Sequence, residues 1–92
     1  MDDGSRHLAE RRAPREARDG RITELVCEQL DLEPGTLGER ELFTDRGADS
    51  LGLFGVLTAL EKEFGVTIGP AAFERMDCLA EVREGLAELA GW

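Results

Sequence analysis

Apolar residues recur along this chain at helical spacings, and the longest run of them starts at Ser50. From Ser50 to Phe64, Leu53, Leu57, Leu60 and Phe64 fall at i, i+4, i+7 and i+11, one stripe of a helix, with Leu51, Phe54 and Val56 beside it. Gly65 follows where a helix stop belongs. Gly52 and Gly55 interrupt the pattern, since each costs on the order of 1 kcal/mol relative to alanine inside a helix. Either the first turns are loose or a neighbour comes close to the backbone there. Upstream, Ile22, Leu25, Val26, Leu30 and Leu32 mark an earlier helix, with Asp19 as its N-cap and Pro34 and Gly35 as its terminator. A connection of about a dozen residues then carries Leu37, Leu42 and Phe43 among charged neighbours, which predicts that it packs onto the domain rather than extending into water.

Beyond residue 65, Pro70 suits the first position of a brief helix that includes Phe73 and Met76. Asp77 is placed to cap a last helix. There Leu79, Val82, Leu86 and Leu89 follow at i, i+3, i+7 and i+10, leaving Glu81, Arg83, Glu84 and Glu88 to water. No strand pattern competes, although residues 66–68 allow a short extended stretch. The pattern predicts an all-α domain, a bundle of three main helices plus one short helix. Residues 1–20 contain Leu8 as the only large aliphatic residue after Met1, with Pro14 in the middle and Gly20 at the end. They are read as a mobile charged extension, with a frayed helix as the alternative, and residues 21–92 as the folded domain.

At 92 residues the chain has room for one domain and a small core, too little for a self-sufficient enzyme with a deep pocket. The formal charge of −9 is unevenly placed: residues 1–21 hold six arginines against five acids, the remainder five bases against fifteen acids. Such a domain repels nucleic acid and anionic membranes and attracts basic protein surfaces. Cys27 and Cys78 lie far apart with no CxxC, and the single histidine, His7, is in the extension, so no zinc or redox motif is present and no metal ligand is assigned. No apolar run reaches the length of a membrane span, and the N-terminus alternates charges where a signal peptide has an apolar stretch; a cytoplasmic monomer is expected.

The chemistry concentrates at Gly47-Ala48-Asp49-Ser50-Leu51, where a loop meets the second helix. Together with the run Thr58-Ala59-Leu60-Glu61-Lys62-Glu63-Phe64-Gly65-Val66, this closely resembles the acyl carrier protein family, whose motif is Gly-x-Asp-Ser-Leu followed by a helix ending in Leu-Glu-x-x-Phe. The resemblance extends over about residues 20–90, taking in Glu28-Gln29-Leu30 and the region of Ile68 and Pro70. It implies that Ser50 carries a covalent 4'-phosphopantetheine from coenzyme A, added by a phosphopantetheinyl transferase that supplies base and magnesium. It further implies that Asp49, Leu51, Phe54, Val56 and Glu61 belong to the transferase and partner recognition surface, whereas composition alone reads Leu51, Phe54 and Val56 as core. The partners implied are acyl-loading and acyl-processing enzymes such as an acyltransferase or a ketosynthase, and the chain itself has no catalytic residue. Independently of the family, a serine in the first turn of a helix offers its hydroxyl beside unpaired backbone N–H groups and the positive end of the helix dipole, a favourable place for a phosphodiester. The alternative for Ser50 is an ordinary N-cap.

Three features depart from the family pattern. Positions 52 and 55, often acidic in fatty-acid carriers, are Gly52 and Gly55, leaving Asp45, Asp49, Glu61 and Glu63 as the acids near that face; Arg46 stands where an apolar residue is usual. The resemblance therefore implies shallower, more apolar contacts and a carrier from polyketide or related specialised biosynthesis. The start at Met1 and the end just past the last helix suggest a free-standing carrier. Two rivals remain. Ala48-x-Ser50-x-Gly52 half matches a hydrolase nucleophile elbow, but that needs a strand-turn-helix and a triad histidine. An unmodified helical interaction module would use the same fold with Ser50 as a cap. Phe54, Phe73 and Met76 are candidates to line a cleft between helices.

Overall fold

Helix α1 spans Pro14–Leu30, and it is the element that the other long helices are built around. The computed structural model describes residues 14–92. Pro14 stands at a position where its missing N–H costs nothing, and Arg-Glu-Ala-Arg continues with good helix formers. The helix thus starts ahead of the expected cap at Asp19 and crosses the boundary drawn after residue 20. Gly20 is carried inside it, and the remainder of the proposed extension, with His7 and Leu8, lies outside the described residues. At the other end, α1 stops at Leu30 rather than Leu32. Asp31 turns left-handed at φ 59°, its N–H donates to the Glu28 carbonyl at 3.3 Å, and the Leu32 N–H donates to the Cys27 carbonyl at 2.8 Å. That paired closure is a Schellman turn, with aspartate where glycine is usual.

The connection that follows contains a 3-10 turn at Phe43–Arg46 and leads to α2, Ser50–Phe64. A five-residue α3, Pro70–Glu74, and α4, Leu79–Ala90, complete an all-helical bundle with no strand among the described residues. Helix α1 packs on both α2 and α4. Ile22, Val26, Cys27, Phe43, Val56, Leu60, Leu79, Val82 and Leu86 are fully buried, and Leu30, Leu53, Leu57 and Phe64 pack around them. The expected stripes supply most of this core. Leu89 does not join it and remains 43% exposed.

Asp77 does not cap α4. The cap position is Cys78, whose side chain makes no capping bond, and the Ala80 N–H is satisfied instead by the Glu39 carbonyl at 3.0 Å, reaching across from the long connection. Asp77 contributes its own carbonyl to the Phe43 N–H at 2.9 Å. Arg83, expected to face water, is mostly covered. Its guanidinium donates to the Asp19 carbonyl at 2.7 Å, to Thr23 Oγ1 at 2.9 Å and to Glu39 Oε1 at 3.0 Å, tying α1, the connection and α4 together. A satisfied, planar guanidinium can occupy such a junction, which is why a position on the polar side of a helix is drawn inward.

Candidate functional site

The approach to Ser50 is built from Phe43. Its ring is buried, and its carbonyl accepts the Ala48 N–H at 3.2 Å, while the Gly47 N–H donates to Thr44 at 3.1 Å. Gly47 closes this turn at φ 89°, a conformation that a residue with a Cβ enters at a cost. Ala48 then packs against the core, and Asp49 adopts the extended geometry of an N-cap. Arg46 braces the same segment by donating to the Thr36 carbonyl at 2.6 Å and to Glu41 Oε1 at 3.2 Å. Its departure from the family pattern therefore has a structural role in this chain.

Asp49, not Ser50, caps α2: its Oδ1 accepts the Gly52 N–H at 2.8 Å, and its carbonyl takes the Leu53 N–H at 2.9 Å. The reading of Ser50 as an N-cap is thereby replaced. Ser50 is the first residue of the helix, exposed, and its hydroxyl makes no hydrogen bond among the described residues. Its surroundings fit a phosphate ester, with a free hydroxyl at a helix mouth, small residues on the approach, and the first-turn N–H groups and helix dipole nearby.

The other expected recognition residues separate. Leu51 is 78% and Phe54 58% exposed, both on the outer side of α2. Val56 is fully buried in the core and is not available to a partner, because its position turns inward rather than outward. Glu61 is half-buried, and its Oε2 accepts the Ile68 N–H at 2.8 Å, so it holds the segment after α2. The glycines that interrupt the pattern mark where α1 approaches: a Cβ on Gly52 would come within 3.2 Å of the Leu30 methyl group, and one on Gly55 within 2.5 Å of the Gln29 side-chain oxygen. Of the two expectations for these residues, close approach is the one the structure bears out. A cleft of about 380 Å³ lies between the connection, α2 and α3, lined by Leu42, Phe43, Leu53, Phe73 and Met76 among others. Phe73 and Met76 take the places expected of them; Phe54 lies outside.

Sequence reasoning missed Trp92. Gly91 turns the chain at φ 76°, bringing the Trp92 ring edge-on to Phe64 at 5.3 Å, and the Arg18 guanidinium sits 4.2 Å over its face. A lone aromatic at the end of a sequence carries no periodic signal, and only the folded chain shows what it meets.

Comparison with known proteins agrees with this geometry. Residues 20–86 match the family model described as the phosphopantetheine attachment site. An acyl carrier protein of Zymomonas mobilis is 40% identical over 57 residues, covering 61% of this chain and 73% of that protein. The polyketide-8 synthase acyl carrier protein 1 of Streptomyces avermitilis is 37% identical over 75 residues, covering 80% of this chain and 89% of that one. A chain in the solved structure titled "The ishigamide ketosynthase/chain length factor" superposes with a TM-score of 0.71 at 33% identity, covering 82% of this chain and 96% of that chain. Family model, relatives and fold converge: the chain belongs to the acyl carrier protein family, non-catalytic proteins that bear a covalent 4'-phosphopantetheine and work with acyl-processing enzymes.

Proposed function

We propose that Ser50 is the attachment residue and that the chain presents acyl groups in polyketide or related specialised biosynthesis, in the cytoplasm, to partners such as an acyltransferase and a ketosynthase. The observation that carries the assignment is the division of labour at the mouth of α2. Asp49 does the capping, which leaves the Ser50 hydroxyl exposed and unengaged among the described residues. When bound, the arm supplies a terminal thiol on which an acyl group is held as a thioester. The chain's part is to hold Ser50 on a rigid turn, anchored by Phe43, and to let the tethered cargo reach successive active sites at high effective concentration. The polyketide direction is supported by the Streptomyces relative, a polyketide synthase acyl carrier protein, and by the likeness to a chain in the structure of the ishigamide ketosynthase/chain length factor.

Incubation with coenzyme A, magnesium and a broad-specificity phosphopantetheinyl transferase, read by intact mass, tests the assignment. One phosphopantetheine adduct on the wild type and none on Ser50→Ala is the expected result. A folded wild type that gains no mass, or an adduct that survives Ser50→Ala, overturns it.

A further inference from the structure

The turn that delivers Ser50 is held to the earlier part of the connection by a side chain, not by backbone. Among the described residues, no backbone hydrogen bond joins residues 43–49 to residues 31–41. The turn closes on itself through the Phe43 carbonyl and the Gly47 N–H, and it is anchored to the core by the Phe43 ring and to Asp77 by the Phe43 N–H. Arg46 spans the gap. Its guanidinium donates to the Thr36 carbonyl at 2.6 Å and to Glu41 Oε1 at 3.2 Å, and the same Glu41 oxygen accepts the Gly38 N–H at 3.0 Å. One arginine and one carboxylate thus tie the start of the connection to its end. The Arg46 side chain is only 26% exposed, and its charge reaches the buried Cys27 thiol of α1, which burial pushes up and Arg46 lowers.

Charge-assisted bonds fix direction as well as distance, and an apolar side chain at position 46 has no donor for either acceptor. Without them the turn is hinged at Gly47, whose backbone is the least restricted, and the hydroxyl three residues further on moves with it. The reaction at Ser50 depends on where that hydroxyl points. The Ser50 oxygen bonds to the pantetheine-side phosphorus of coenzyme A as the pyrophosphate bond breaks. Adenosine 3',5'-bisphosphate leaves, and the hydroxyl proton passes to the base that the transferase supplies. Such a displacement is sensitive to alignment, since a misplacement of about 1 Å caused far from the chemistry can cost on the order of a hundredfold. We infer that Arg46 is a positioning residue for the loading of Ser50: through Thr36 and Glu41 it holds the turn in line for attack, without touching the loading enzyme. This inference rests on Ser50 being the attachment residue.

The experiment measures initial rates of loading from coenzyme A by the broad-specificity transferase, at varied carrier concentration and well below the melting temperature. The proteins are wild type, Arg46→Leu, Arg46→Lys, Glu41→Ala and the double variant Arg46→Leu/Glu41→Ala; amide hydrogen exchange at Ala48 and Ser50 reports the mobility of the turn. Arg46→Leu is expected to lower kcat about fivefold with KM within about twofold of wild type, and to speed exchange at both amides. Arg46→Lys recovers part of the loss, Glu41→Ala shows a loss of about two- to threefold, and the double variant is no slower than Arg46→Leu, because both residues act through one link. An Arg46→Leu kcat equal to that of wild type in a folded protein overturns the inference, since the arginine is then merely structural. A loss confined to KM also overturns it, because Arg46 then meets the enzyme directly, and so do losses that add in the double variant. Should Arg46→Leu fail to fold, unchanged kcat and exchange in Glu41→Ala overturn it equally. Absence of any adduct on the wild type is a different result, which removes the attachment assignment itself.

Discussion

At the scale of single residues, the site depends on which of two neighbours caps α2. Asp49 takes the Gly52 N–H, and this fixes the first turn on which Ser50 stands. Asp49→Ala is expected to lower stability by about 1 kcal/mol and to slow loading of Ser50 as that turn frays, whereas Asp49→Asn retains most of the cap. Chemical denaturation of both variants, paired with intact-mass time courses, checks this; equal stability of Asp49→Ala and wild type contradicts it. The Asp-Ser pair was legible in the sequence as a helix start, but not the assignment of roles within it. Asp and Ser are comparable caps, and only the backbone geometry of the turn from Phe43 through Gly47 decides which one comes first.

At the scale of elements, the helices follow from periodicity and their joints do not. Stripes at i, i+3 and i+4 mark the buried sides of α1, α2 and α4 because a helix can hide only one side at a time. The joints rest on groups far apart in sequence, above all Arg83 with Asp19, Thr23 and Glu39. Arg83→Ala removes four donated bonds, two of them to Glu39, and leaves acceptors at a partly covered junction. A loss of about 1–3 kcal/mol is expected, with Arg83→Lys recovering only part of it, since an ammonium cannot reproduce the planar fork. Thermal unfolding of the two variants distinguishes this from a solvent-facing arginine, whose replacement changes little. Gly52 and Gly55 belong to the same scale: weak points for an isolated helix, they let α1 come close to α2.

At the scale of the whole molecule, the acidic balance sets the response to pH. The Arg83 guanidinium beside Glu39 holds that carboxyl below its ordinary value of 4.5, and the hydrogen bond from the Gly38 N–H does the same for Glu41, with Arg46 adding to it. A carboxyl depressed on folding binds its proton more readily in the unfolded chain, so its contribution is complete above about pH 4.5 and is lost as pH falls through the lower, folded value. Stability measured across the acid range is expected to decline below about pH 4.5, and Glu39→Gln to give a lower plateau and a shallower decline. An unchanged slope in Glu39→Gln counts against the Arg83 junction as its source.

The sequence alone determined the helical class, the order of the helices, the acidic surface and the position of the serine motif, because periodicity, charge and local turn chemistry are properties of neighbouring residues. It also carried the family resemblance, through residues that lie together along the chain. Only the tertiary structure decided that Asp49 rather than Ser50 caps α2, that Val56 is core while Leu51 and Phe54 face outward, that Arg83 turns inward and that Trp92 meets Arg18 and Phe64. Those outcomes depend on which surfaces come into contact across long stretches of chain, and the energy of such contacts exists only once the helices have packed.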